Sequence, residues 1–90
     1  MGQMFEAVEF IDRKADPGAP PEERLLGEFA LEADAVEVAR NERDQFANVE
    51  DYAWWIVRQQ GARLARWIAD SRSSKEFALD LTSGELVEVE

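Results

Sequence analysis

Apolar and polar residues alternate every second position in four stretches of the chain and follow helical spacing in two. Residues 4–13 put Met4, Val8 and Phe10 on one side and Phe5, Ala7 and Ile11 on the other, the pattern of a strand with neighbours on both faces. Leu25–Ala33 alternates again, with Leu25, Phe29 and Leu31 opposite Leu26, Glu28 and Ala30. Lys75–Leu81 and Glu85–Val89 alternate on either side of Thr82-Ser83-Gly84, which predicts a hairpin closed by the glycine. Between these lie two helical patterns. Asp34-Ala35-Val36-Glu37 has the spacing of a capping box and opens a helix facing inward with Ala35, Val38, Ala39, the stem of Glu42, and Phe46. Val49–Ala69 is the longer one: at 100° steps Ala53, Val57, Gly61, Leu64 and Ile68 share a face, flanked by Trp54, Ala65, Ile56 and Trp67.

The expected fold is therefore an α+β domain in the order β-β-α-α-β-β, with about four antiparallel strands in one sheet and two helices on one face. A single domain over 1–90 suits the length. All three prolines fall between Ala15 and Glu23, marking an exposed loop across which the first two strands pair. Asn48, with Asp51 three residues on, is placed to cap the second helix. Two residues fit that helix poorly. Gly61 costs on the order of 1 kcal/mol in a helix interior, which points to a close approach or a break. Trp55 projects almost opposite the apolar face, beside Gln59 and Arg66. Either it is covered by a loop or the first helix, or it is an exposed aromatic among arginines, the composition of a binding hot spot.

Charge changes the picture more than composition does. The chain carries −10 at neutral pH, unevenly spread. Residues 1–51 hold fourteen acids and five bases, 52–75 one acid and five bases, and 76–90 five acids and no base. Cysteine and histidine are both absent, which removes disulfides, thiol chemistry, the commonest general base and the commonest transition-metal ligand. The serines have no base to activate them, glycines are too scattered for a phosphate loop, and Asp12-Arg13-Lys14-Ala15-Asp16 is broken by two cations as a calcium loop. The reading is non-enzymatic, with no cofactor and no metal. No apolar run approaches the ~20 residues that span a bilayer, and the N-terminus lacks the pattern of a signal peptide, so a cytoplasmic location is expected. Direct nucleic-acid binding is disfavoured by phosphate repulsion.

An acidic surface is steered towards a basic one, and basic protein surfaces are commonly nucleic-acid sites. The expected partner is a protein with such a surface. The candidate contacts are Glu37, Glu42 and Asp44 on the first helix and Glu76, Asp80, Glu88 and Glu90 on the C-terminal hairpin, with Trp55, Arg58 and Arg66 as a second contact. In size, acidity, lack of cysteine and α+β pattern the chain resembles the small phage-encoded anti-CRISPR proteins. They share no motif, so no residue is carried over. The resemblance implies an inhibitor in the bacterial host's cytoplasm that blocks nucleic-acid access to a CRISPR effector by charge mimicry. The rival expectation is a homodimeric adaptor domain that pairs through open strand edges and the exposed aromatic.

Overall fold

The stretch expected to form the long helix forms a hairpin instead. In the computed structural model, which describes residues 3–89, Tyr52–Gln59 is a strand (β3), Gln60–Gly61 turns, and Ala65–Asp70 returns as β4. From Tyr52 to Val57 every residue except Ala53 is aromatic or β-branched, and such side chains favour the pleated conformation. A run apolar at every position satisfies a period of 3.6 and a period of 2 equally, so spacing alone misjudged it. Gly61 decides the matter. Its φ of 82° is left-handed, and the amide of Ala62 donates to Gln59 at 3.0 Å to close the turn. Asn48 is likewise not a helix cap: its side-chain oxygen accepts from the amides of Glu50 and Asp51, a local turn that leads into β3.

The remaining elements are β1 (Phe5–Asp12), β2 (Glu22–Phe29), the one helix α1 (Glu32–Gln45), β5 (Glu76–Leu79) and β6 (Leu86–Glu88). The observed order is β-β-α-β-β-β-β, in place of the expected four strands and two helices. All six strands join one antiparallel sheet in the order β2-β1-β3-β4-β5-β6. β1 is interior as expected, and it pairs with β2 across the proline loop. The helix starts two residues before the expected cap, with Glu32 and Asp34 in its first turn and Arg43 in its last, each at the favourable end of the helix dipole.

Helix α1 lies across β1, β2 and β3 and reaches β4. Its buried residues are the small Ala35 and Ala39, which let it sit close to Ala7, Ala53 and Ala69 of the sheet. Trp55, Val57 and Trp67 fill the space that the alanines leave. Of the other residues expected to point inward, Phe46 meets Trp55 edge-on at 5.4 Å. Glu42 reaches out to Arg24 at 3.2 Å.

Candidate functional site

Strand register sorts the side chains onto two faces. On the helix-covered face one row across the sheet reads Arg24, Glu9, Trp55, Ala69 and Glu76. Trp55 is fully buried, and its indole N–H donates to Glu9 at 3.0 Å. Arg24 donates to the other oxygen of Glu9 at 3.1 Å, so a carboxylate only 5% exposed has its charge matched. At the other end Glu76 accepts from Arg40 at 2.7 and 2.8 Å and from the Trp67 indole at 3.3 Å, with Arg43 3.2 Å away. The Arg40 guanidinium holds the Glu76 carboxyl below the usual carboxylate range.

The opposite face has neither helix nor strand over it among the described residues. Its central row is Leu25, Val8, Ile56, Ile68 and Phe77, contributed by five adjacent strands and ending at Glu88 on β6. The next row is Glu23, Phe10, Trp54 and Asp70, and the third is Asp12 and Tyr52. Phe10 stacks on Trp54 at 5.3 Å with the rings 10° from parallel, and Tyr52 lies 5.6 Å from Trp54. In the central row Val8 is 1% and Ile56 8% exposed, while Leu25 at the edge is 52% exposed. On the β4 side of Trp54 a cleft of about 360 Å³ opens, lined by Tyr52, Trp54, Ile68, Asp70, Lys75 and Phe77. Asp70 accepts from the Tyr52 hydroxyl at 3.2 Å and from the Arg72 amide at 2.9 Å. Burial first, then the Asp70 charge, pushes the Tyr52 phenol above its ordinary value.

Ion pairs occur on both faces of the sheet, as Glu6 and Glu88 on the helix-free face show. Glu6, Glu9, Glu22, Glu32, Glu42, Asp44, Asp51, Glu76 and Glu88 each have an arginine or lysine within 4.0 Å. Asp12, Glu23 and Asp70, around the aromatic rows, have none among the described residues, and the same is true of Asp16, Glu28, Asp34, Glu37, Glu50, Asp80 and Glu85 elsewhere.

The residues singled out from the sequence do not form one surface. Glu76 and Glu88, expected on a common acidic face, lie on opposite faces, because Glu88 pairs in register with Phe77. Glu76 is turned inward to two arginines, and Glu88 has Lys75 at 3.8 Å. Asp80 accepts from the amide of Thr82 in the hairpin loop. That loop is longer than expected: it closes between Asp80 and Glu85 at 2.8 Å, with Gly84 at a φ of 76°. Glu90 lies outside the described residues. On the helix Glu37 is exposed, while Glu42 and Asp44 are paired with Arg24 and Arg43. The reading of Trp55 as covered holds, and with it goes the exposed hot spot. Arg66 leaves that neighbourhood to pair with Glu32 and overlie Phe5, and Arg58 pairs with Glu6 at 3.1 Å.

The sequence reading missed Phe10, Trp54, Ile68, Asp70 and Phe77 as a group. The signal lay in Tyr52-Ala53-Trp54-Trp55-Ile56-Val57: at period 2, Tyr52, Trp54 and Ile56 share a face that Trp55 does not. Among the described residues no group of three carboxylates is placed to hold a metal ion, and no helix is long and apolar enough to cross a membrane. The chain matches no protein-family model, no curated protein and no solved structure.

Proposed function

We propose that this chain is a non-enzymatic binding protein that covers a basic, nucleic-acid-handling surface of another protein, with the helix-free sheet face as its contact. One observation carries the reading. The row Leu25, Val8, Ile56, Ile68 and Phe77 crosses five strands with no helix or strand over it among the described residues; Val8 and Ile56 are buried by neighbouring side chains, Ile68 and Phe77 are half-buried and Leu25 is exposed, and the neighbouring carboxylates Asp12, Glu23 and Asp70 lack ion-pair partners among the described residues. A contiguous apolar patch with a polar rim is the composition of an interaction surface, and a negative rim selects and steers a positive partner. The charge-mimic mechanism expected for the helix and hairpin acids moves to this rim, because Glu42, Asp44, Glu76 and Glu88 already have cations of their own. Masking a CRISPR effector is the form this activity takes if the likeness to anti-CRISPR proteins reflects ancestry or convergence.

The test immobilises the chain and passes a nuclease-treated bacterial lysate over it, beside a variant carrying Asp12→Lys and Glu23→Lys. Capture of a basic nucleic-acid-binding protein by the parent, its loss from the variant, and weakened nucleic-acid binding by that protein when free chain is added all support the reading. A captured protein that holds nucleic acid undiminished rules out masking.

A homodimer is the second reading, favoured by β6, an edge strand with Leu86 40% and Val87 45% exposed. Sedimentation separates the two: a dimer dispersed by Val87→Lys supports pairing of copies, and a monomer at micromolar concentration removes it.

A further inference from the structure

We propose that the cleft between Trp54 and Phe77 receives one arginine side chain of the docking partner. This rests on the docking reading above and specifies what the centre of that surface recognises.

The cleft has the parts such a receptor needs. Phe10, on β1, occupies one side of the Trp54 ring, and the cleft opens on the other side, towards β4. Stacking against Phe10 and the proximity of Tyr52 fix the plane of the indole before any ligand arrives. Indole is the ring with the strongest attraction for a cation on its face. Ile68 and Phe77 supply apolar wall for the methylene stem of a long cationic side chain. Asp70 supplies the charge. It is held in place by the Tyr52 hydroxyl and the Arg72 amide, has no cation within ion-pair distance among the described residues, and keeps lone pairs free for further donors.

Lys75 also lines the cleft, and a cation there opposes a second one. Its ammonium, however, pairs with Glu88 on β6 at 3.8 Å, which leaves Asp70 available. Arginine suits the remaining space better than lysine does. Its planar guanidinium can lie flat on a fixed ring while its edge donates to a carboxylate, and a rounded, strongly hydrated ammonium can do neither as well. The molecule uses the same chemistry internally: the Arg72 guanidinium sits 5.1 Å from the centre of the Tyr52 ring, beside this cleft. With Lys75 paired to Glu88, the acids nearest the cleft in register, Asp70 and Asp12, stand against Arg72 and leave one negative charge in excess.

The probe is the capped tripeptide acetyl-Gly-Arg-Gly-amide, titrated into the full chain and followed by amide and indole NMR shifts. Its counterpart carries citrulline, which keeps the shape of arginine and removes the charge. The arginine peptide should shift the Trp54 indole N–H and the amides of Asp70 and Phe77 saturably, at millimolar concentration. Asp70→Asn should weaken that binding about tenfold, the usual worth of one close charge–charge hydrogen bond in a partly wet site. The citrulline peptide needs no variant and guards against a fold effect of the substitution; it should leave the three signals in place. Equal shifts by the two peptides, or none by either, overturn the proposal. An inert arginine peptide together with capture that is still lost from the Asp12→Lys, Glu23→Lys variant keeps the docking face and rejects the arginine pocket. Saturable arginine binding together with capture indifferent to that variant keeps the pocket and rejects the docking face.

Discussion

Trp54 and Trp55 are neighbours in the chain and opposites in the fold. Trp55 faces α1, has no exposed surface, and spends its N–H on Glu9, whose charge Arg24 matches. Trp54 faces away, stacked on Phe10 and flanked by the tilted ring of Tyr52, in a row that ends on Asp70, which has no ion-pair partner among the described residues. One strand thus builds a closed surface and an open one from alternate residues. On the closed side the buried carboxylate of Glu9 and the inward Glu76 have partners inside the molecule, as burial demands, although one nitrogen of Arg43 is buried without an acceptor. On the open side part of the apolar area stays exposed, and Asp12, Glu23 and Asp70 beside it have no ion pair among the described residues. The difference is the basis of the docking proposal: the closed face uses its ion pairs to hold the fold together, and the open face is the one proposed to meet a partner.

The contrast is easiest to break with the two tryptophans. Trp55→Ala should destabilise the fold by about 3–5 kcal/mol, because it opens a large cavity and strands Glu9. Trp54→Ala should cost less, about 2 kcal/mol, the lost ring–ring contacts together with part of the ring's area burial at a half-covered site, and should abolish arginine-peptide binding. Urea denaturation checks both, and equal losses would mean that the open face is core after all. A smaller effect separates the acids. Glu76→Gln should cost about 2 kcal/mol by leaving Arg40 and Arg43 without their shared counter-charge. Glu23→Gln, on the rim, should stay within about 0.5 kcal/mol of the parent.

Two pH limbs sharpen the comparison further, each read from urea midpoints. The folded Glu76 carboxyl titrates below its ordinary value. Its contribution is present above the unfolded value of 4.5 and disappears as pH falls through the folded one. Glu76→Gln should therefore flatten the acid limb. The folded Tyr52 phenol titrates above its ordinary 10.0. Its contribution is complete below that value and is lost as pH rises through the folded one, so Tyr52→Phe should flatten the alkaline limb. Glu76 gives the covered face a share of the acid limb, beside Asp51 in the turn before β3, whose carboxyl the Lys14 amide and the Arg13 guanidinium also lower, and Tyr52 gives the open face its share of the alkaline limb.

Much of this was legible beforehand, and the failures have physical causes. The terminal hairpin was readable because its apolar residues are separated by polar ones, which makes a period of 2 visible, β1 because Glu6 and Glu9 interrupt its apolar residues, and the loop because it holds all three prolines. β3 was not, because it is apolar on both faces and carries no polar residue from Ala53 to Val57 to mark the pleat. Taking it for a helix set Trp55 outward and Trp54 inward, the reverse of the sheet. The candidate site went with that error, since its residues come together only when β1, β3, β4 and β5 are side by side. The acids misled for another reason. Glu76 and Glu88 sit in one hairpin, and their faces depend on a register set by the loop from Asp80 to Glu85, which spacing in the chain does not reveal.

The β1–β3 pairing has a consequence for how the chain assembles. Every other strand contact joins neighbours in sequence, whereas this ladder, from Phe5 against Gln59 to Asp12 against Tyr52, closes over β2 and α1. The protein is in effect two halves, a hairpin with its helix and a four-stranded meander, joined by the β1–β3 ladder and by the helix where it lies over β3 and β4. Loop closure of that length sets the pace of folding. A chain cut between Ala47 and Asn48 would leave both halves intact as units, so the two pieces should find each other and rebuild the sheet when mixed.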